Sequence, residues 1–146
     1  MPAAPDATSG SQRPVVALIK VVATPYWLHL HRRIDREIPE IELHCLYLFD
    51  VGDQPWVLTE KDVRPVNFAS PGEQDADKPL KTVKQDWDKA SRVIAWLREH
   101  DAKFAVVGGY HNVTAPRIAR WCRRHRIPAF LTGDSNIHAD RAVGVK

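Results

Sequence analysis

Polar side chains follow two predicted strands in the last third of the chain, and their types suit proton transfer and the binding of a polar ligand. The first group follows the apolar segment Phe104–Val107 and comprises Gly108, Gly109, Tyr110, His111 and Asn112. The second group follows Ala129–Thr132 and comprises Gly133, Asp134, Ser135, Asn136 and His138. Because ligands of open α/β sheets bind beyond the carboxyl ends of the strands, we predict one site built from these two groups.

The second group contains a carboxylate and an imidazole that could hold or move a proton. Asp134 can act as a base or as an orienting hydrogen-bond acceptor, and His138 titrates near neutral pH. The alternative is an Asx-type turn in which Asp134 and Asn136 satisfy local backbone groups. Asp134, His138 and Asp140 could also ligate a metal, but their spacing matches no metal-site signature, and we expect no metal site.

The glycines of the first group have two interpretations. Gly108 and Gly109 could let a ligand approach the backbone beside the N-terminus of the next helix, where anions are favoured. They could equally form a turn that only fits the geometry of a strand followed by a helix. The sequence contains neither a G-x-G-x-x-G fingerprint after its first strand nor a G-x-x-x-x-G-K-[ST] phosphate loop. A nicotinamide-dependent enzyme is therefore not expected.

Length and composition predict a single globular domain. The chain has 146 residues, of which 44% are hydrophobic, and a net charge of +3 that is too small to require a nucleic acid or a membrane as partner. No apolar run reaches the roughly 18 residues of a membrane span, and no signal peptide is evident, so we expect a cytoplasmic protein. Cys45 and Cys122 lie in separate apolar segments, which predicts buried free thiols and no zinc cluster.

The first half of the chain reads as a βαβ unit after a tail. Residues 1–13 are rich in Pro, Ala, Ser and Gly and are predicted to be disordered. Val15–Ala23 predicts a buried strand that Lys20 interrupts, so Lys20 should either lie near an end of the strand or extend its ammonium to the surface. Thr24 and Pro25 then suit the N-cap and first position of a helix. After that helix, Ile41–Phe49 predicts the second strand.

The predicted helices show apolar stripes at a spacing of three and four residues. In the first helix the stripe comprises Trp27, Leu30, Ile34 and Ile38, which leaves His29 and His31 in solvent. In the second it comprises Val83, Trp87, Ala90, Ile94 and Leu97. In the third, capped by Thr114 or Asn112, it comprises Ala115, Ile118, Ala119 and Cys122. Tyr26 and Trp27 could wall a pocket by stacking, or Trp27 could belong to the core.

The segment between the second strand and the second helix is predicted to be mostly loop, with one short strand near Val63–Phe68. The complete order β-α-β-loop-α-β-α-β predicts an α/β fold, a Rossmann-like open parallel sheet with helices on both faces, over residues 14–146. Arg117, Arg120 and Arg124 fall opposite the apolar stripe of the third helix. They read as a solvated face, and nucleic-acid binding is not expected.

The chain resembles the N-terminal domain of glycosyltransferases with the GT-B architecture, especially family 4 of the retaining enzymes. The similar pieces are Val15–Leu30, Ile41–Phe49, Phe104–Tyr110 and Ile127–Asn136. The resemblance implies one half of a two-domain enzyme, in which this half binds a sugar or glycan acceptor. It places Tyr26, Trp27 and both polar groups on the acceptor side. Many members have a histidine where this chain has Gly133 and Asp134, so Asp134 is the implied catalytic candidate.

The same resemblance implies that a nucleotide-sugar co-substrate is bound mainly by a C-terminal α/β domain, which does not follow before Lys146. On that basis we expect residues 1–146 to be inactive alone and a second domain to be encoded downstream, with no cofactor, no transmembrane segment and at most peripheral membrane contact. The alternative is a stand-alone Rossmann-like module that binds a small ligand or a partner without catalysis. A hydrolase that uses Asp134 and His138 ranks last, because no nucleophile elbow accompanies them.

Overall fold

The computed structural model describes residues 13–50, 58–59, 61–69, 83–109 and 113–133. Within this part of the chain, strands and helices follow one another in the predicted order. The elements are β1 (Val15–Lys20), α1 (Pro25–Glu37), β2 (Glu42–Tyr47), β3 (Pro65–Asn67), α2 (Val83–Glu99), β4 (Phe104–Gly108), α3 (Thr114–Arg124) and β5 (Ala129–Thr132). The predicted tail, apart from Arg13, lies outside the described residues.

The strands form a five-stranded sheet in the order β3-β2-β1-β4-β5, and every neighbouring pair is parallel. Strand β1 lies at the centre, where Val16 pairs with Leu43 of β2 on one side and with Phe104 of β4 on the other. The chain moves outward from β1 to β3 and then crosses to β4. This arrangement confirms the predicted Rossmann-like open sheet and makes the β1–β4 boundary its topological switch point.

Each face of the sheet has its own core. On one face Leu18, Leu43, Cys45 and Tyr47 are buried, with Ile34 of α1 packed against them. On the other face Ala17 and Ile19 pack with residues of α2 and α3, among them Val93, Leu97, Ile118 and Cys122. Helices therefore cover both faces, as predicted, and both cysteines are free and buried.

The start of α1 agrees with the prediction, but its buried face does not. The Thr24 hydroxyl accepts a hydrogen bond from the Trp27 N–H at 3.3 Å, and Pro25 takes the first helical position. The buried residues are Leu28 and His31, while Ile38 at the end of the predicted stripe is 43% exposed. The exposure predicted for His31 is wrong. Its ring is buried because it contacts polar side chains on β2 and in the segment before β3. His29 is exposed as predicted.

The first turns of α2 also depart from the predicted stripe. Val83 and Trp87 are 46% and 52% exposed, whereas the charged residues Asp86 and Lys89 are buried. The Lys89 ammonium lies 3.5 Å from the centroid of the Phe49 ring. The first turns of α2 face an aromatic ring and polar groups. The spacing of apolar residues therefore does not identify the buried face of the helix in these turns. Further along the helix Ala90, Val93 and Leu97 are buried.

Helix α3 buries Ala115, Ile118 and Cys122, in agreement with the predicted inner face. Thr114 does not cap it, because the N-cap residue is Val113, which makes no side-chain cap hydrogen bond. The Thr114 hydroxyl instead donates to the backbone carbonyl of Asp86 at 3.1 Å and ties α3 to α2. The alternative cap, Asn112, lies outside the described residues. None of the described helices has both the length and the apolarity needed to span a membrane.

Candidate functional site

The carboxyl ends of β1 and β4 meet at the switch point of the sheet, where each strand ends on an unusual residue. Strand β1 ends on Lys20, which is 6% exposed, and β4 ends on Gly108. Of the two placements predicted for Lys20, the structure shows the strand end. A buried ammonium at the place where open α/β sheets bind ligands makes this edge the first candidate site.

The Lys20 side chain runs across β4 and reaches β5. Its ammonium donates a hydrogen bond to the Thr132 hydroxyl at 3.3 Å. The same nitrogen lies 3.5 Å from the centroid of the Trp27 ring, within the range of a cation–π interaction. The side chain thus connects β1, β5 and the first turn of α1, and these contacts hold a positive charge at the carboxyl edge.

The two glycines after β4 fit this packing. A Cβ at Gly108 would lie 3.0 Å from Lys20 Cδ and 3.2 Å from the backbone oxygen of Ile19. Gly109 has a φ of +83°, and a Cβ there would lie 2.7 Å from Val21 Cγ2. Glycine at 108 therefore gives room to a lysine side chain, and glycine at 109 adopts a left-handed turn that other residues avoid. Both roles are independent of a ligand.

The aromatic residues after β1 take different positions. Tyr26 is 69% exposed, and its ring meets Trp27 edge-to-face at a centroid distance of 5.1 Å. Trp27 is partly buried and stacks on His31, with centroids 5.9 Å apart and planes inclined by 24°. Trp27 thus lies between Lys20 and His31. Tyr26 presents an aromatic ring to solvent beside the switch point.

The predicted site is described only in part. Trp27 and Gly108 are brought together around Lys20 and Thr132, which were not predicted as site residues. Gly133 follows β5 as an exposed residue. The remaining predicted site residues lie outside the described residues; they are Tyr110, His111, Asn112, Asp134, Ser135, Asn136 and His138. Their roles stay predictions.

A second group of functional side chains lies beneath α1, and the sequence did not reveal it. His31 Nδ1 is 2.7 Å from Asp62 Oδ2, and the two side chains are 1% and 2% exposed. Tyr47 donates its hydroxyl to the same carboxylate oxygen, and the Val63 N–H donates to Asp62 Oδ1 at 2.7 Å. Cys45 Sγ lies 3.2 Å from His31 Nδ1. Groups from α1, β2 and the segment before β3 thus converge on one buried carboxylate.

The charge of Asp62 governs this group, which we call the Asp62 cluster (His31, Cys45, Tyr47 and Asp62). Burial opposes ionisation of Asp62, but the hydrogen bonds from His31, Tyr47 and the Val63 N–H outweigh it and lower the pKa of the carboxyl. Burial and the neighbouring Asp62 charge raise the pKa of the Cys45 thiol. Burial, and then the hydrogen bond to Asp62, raise the pKa of Tyr47. A carboxylate accepts only, so His31 Nδ1 carries the proton that it shares with Asp62.

Two features hid the Asp62 cluster from sequence inspection. Its residues come from α1, β2 and the segment before β3, so no short motif contains them. His31 also sits among charged residues in the sequence, which suggests a solvated helix face. A weak signal was available: in β2, the alternate residues Leu43, Cys45 and Tyr47 share one face, and two of them carry polar atoms that need partners.

A groove between α2 and α3 contains the arginines that resemble a nucleic-acid patch. It encloses about 640 Å³ and is lined by Trp87, Ile94, Trp121, Arg117, Arg120 and Arg124. Arg117 lies 4.0 Å from the Trp87 ring centroid and donates to the Trp87 carbonyl and to Ser91 Oγ, so it links the two helices. Arg120 and Arg124 are exposed, as predicted for a solvated face, whereas Arg117 is partly buried, contrary to that prediction.

No protein-family model, no curated protein and no solved structure matches this chain. The resemblance to the N-terminal domain of GT-B glycosyltransferases therefore stays a prediction, and the α/β Rossmann-like class is what the fold itself establishes.

Proposed function

We propose that the switch-point edge binds the sugar or glycan acceptor of a nucleotide-sugar-dependent glycosyltransferase, of which this chain is the acceptor-binding half. The proposal rests on one arrangement: Lys20 held between the Trp27 ring and the Thr132 hydroxyl, with Tyr26 exposed beside them. This arrangement lies at the edge where α/β sheets of this topology bind ligands.

The side chains at this edge match the chemistry of a sugar. A pyranose has an apolar face of C–H groups and a rim of hydroxyls, and an exposed aromatic ring such as Tyr26 packs against the face. Lys20 places a positive charge beside the rim, and the Thr132 hydroxyl can both donate and accept hydrogen bonds. Binding sites commonly combine an aromatic wall with a few placed polar groups of this kind.

The proposal gives Asp134 the chemical role. In the sequence it comes two positions after Thr132, the last residue of β5. There its carboxylate would accept a hydrogen bond from a sugar hydroxyl or take the proton from the reacting one. A second α/β half would hold the nucleotide-sugar donor, align it with the acceptor and exclude water.

A second candidate is a module that binds a small anion without catalysis. The observation in its favour is the Lys20 ammonium, which keeps a positive charge at the switch point. The amino ends of α1 and α3 follow β1 and β4 at the same edge, and helix amino ends also favour anions. The two candidates share the site and differ in the ligand.

Titration of the ¹⁵N-labelled chain, followed by amide shifts, tests the proposal. We expect glucose, N-acetylglucosamine or maltose to shift the amides of Val22, Ala23, Thr24, Tyr26, Trp27, Gly108, Gly109 and Gly133. Tyr26→Ala should weaken that binding about three- to tenfold, since packing on one aromatic ring contributes roughly 0.5–1.5 kcal/mol. Trp87→Ala is the matched control, because Trp87 is also an exposed aromatic residue but lies in the α2–α3 groove.

Other results of the titration would favour the second candidate or contradict one or both proposals. Shifts of these amides by inorganic phosphate, with none of the sugars causing any, would favour the anion-binding module and remove the glycosyltransferase proposal. Shifts confined to the α2–α3 groove would contradict both. An unchanged sugar affinity in Tyr26→Ala would remove the aromatic platform from the site.

A further inference from the structure

The Asp62 cluster brings together three different metal-ligating atoms beneath α1. His31 offers a ring nitrogen, Cys45 a sulfur and Asp62 a carboxylate oxygen, and these atoms all lie within 4.8 Å of one another. His31 and Cys45 are fully buried, and the Asp62 side chain is 2% exposed. The acidic group is therefore not one of the exposed carboxylates that occur on every protein surface.

We propose that His31 Nδ1, Cys45 Sγ and an Asp62 oxygen bind a zinc ion. Imidazole, thiolate and carboxylate are the protein ligands of Zn²⁺, and three of them leave the fourth tetrahedral position for a water molecule. Thiolate and imidazole also disfavour Mg²⁺ and Ca²⁺, which select oxygen ligands. The proposal goes beyond the proposed function, and it departs from the expectation of no metal site that the sequence supported.

The geometry needs only a small adjustment to hold the ion. Nδ1 is 2.7 Å from Asp62 Oδ2 and 3.2 Å from Cys45 Sγ. Bond lengths of about 2.0–2.3 Å to tetrahedral zinc place its ligands roughly 3.3–3.6 Å apart. The two ligand pairs that include His31 therefore have to separate by about half an ångström, which side-chain rotations provide, and all three ligand atoms already lie within 4.8 Å of one another.

One buried polar atom of the cluster has no hydrogen-bond partner among the described residues. This atom is His31 Nε2. Burial of an imidazole with one ring nitrogen unpaired is unfavourable, and a single hydrogen bond from Nδ1 offsets it poorly. Coordination through Nδ1 leaves Nε2 without a partner, so this atom does not itself indicate a metal, and its cost has to be offset by the free energy that coordination contributes to folding.

The surroundings supply the outer contacts that metal ligands use. The Tyr47 hydroxyl and the Val63 N–H both donate to Asp62, which orients its carboxylate. The Trp27 ring stacks on His31 and covers it. On binding, the Cys45 thiol releases its proton to solvent, and the imidazole proton moves from Nδ1 to Nε2, so both ligand atoms become free to bind.

Cobalt substitution in the full chain tests the site. After removal of metals with a chelator, added Co²⁺ should produce the near-ultraviolet charge-transfer band of a cobalt–thiolate bond, and Zn²⁺ should abolish it. After dialysis against zinc, elemental analysis should find about one zinc ion per chain. Cys45→Ser should lose the band, whereas Cys122→Ser should keep it, because Cys122 is the other free, buried cysteine and packs against α2 and α3.

Two further measurements protect the test against a variant that fails to fold. Tyr47→Phe keeps the ring and removes one donor to Asp62, so we expect it to bind zinc about 10- to 100-fold more weakly. In the wild-type chain, zinc should slow alkylation of Cys45 and leave Cys122 unaffected. Absence of the cobalt band in the wild-type chain, or its persistence in Cys45→Ser, would overturn the proposal.

Discussion

The side chain of Lys20 crosses Gly108 at the switch point, and its Cδ lies 3.0 Å from the position that a Cβ at residue 108 would occupy. Only a residue without a side chain lets Lys20 pass at this distance and reach Thr132 on β5. The lysine and the glycine therefore depend on each other, although they stand on different strands.

Gly108→Ala should destabilise the fold by about 1–3 kcal/mol, as an added methyl group does in a packed interior. Urea denaturation measures this change. In a Lys20→Ala background the cost should fall, because only the Ile19 oxygen, at 3.2 Å, then crowds the new methyl group. Equal costs in the two backgrounds would show that Lys20 is not what Gly108 accommodates.

Arg117→Ala should lower the free energy of unfolding by about 1–2 kcal/mol. The guanidinium donates to Ser91 Oγ at 2.6 Å and to the Trp87 carbonyl, and it stacks on the Trp87 ring, so its loss removes contacts that link α3 to α2. Arg120→Ala on the exposed face is the control and should change stability by less than about 0.5 kcal/mol. Similar losses for both variants in thermal melts would contradict a specific role of Arg117.

Asp62→Asn should destabilise the metal-free protein by about 2–4 kcal/mol, because buried donors then lose a charged acceptor. The measurement is urea denaturation in the presence of a chelator. Asp35→Asn is a suitable control, since Asp35 pairs with Arg64 at 2.8 Å in a position about one-third exposed. We expect the control to cost no more than about 1 kcal/mol. A control as costly as Asp62→Asn would argue against a special role for the cluster.

Alkaline pH should destabilise the protein through Cys122. Burial raises the pKa of this thiol to about 11. The unfolded chain therefore ionises first, so stability is intact below the unfolded pKa and falls until the pH reaches about 11. The loss should be on the order of 2 kcal/mol. Comparing the denaturation of the wild type and of Cys122→Ala between the unfolded pKa and the folded pKa isolates the contribution of Cys122. Parallel pH profiles of the two proteins would refute that contribution.

Local signals predicted the fold well. Val and Ile runs marked the strands, and Thr24 with Pro25 marked the start of α1, because both signals act through neighbouring residues. Lys20 was expected near a strand end or with its ammonium extended to the surface, because a charged side chain is costly in the middle of a buried sheet, and it ends β1. Even the short β3 emerged from a segment rich in proline.

Hydrophobic periodicity failed to predict which residues are buried where a helix packs against polar groups. The spacing of three and four residues placed Trp87 on the buried face of α2 and Asp86 on the exposed face. In the structure Trp87 is exposed and Asp86 is buried. His31 was assigned to solvent for the same reason: a hydrophobic pattern cannot anticipate partners supplied from distant segments. Asp62 lies in a segment with no legible period, so its meeting with His31 follows from tertiary structure alone.

The all-parallel sheet also constrains how the chain reaches its native state. Every strand pair needs a crossover, and β1 cannot acquire its second neighbour until the chain through Phe104 has been made. No hairpin is available in the described sheet to nucleate it, so long loops must close before its centre is complete. Folding should therefore be slow for a domain of this size, and the β1–β4 ladder should join late.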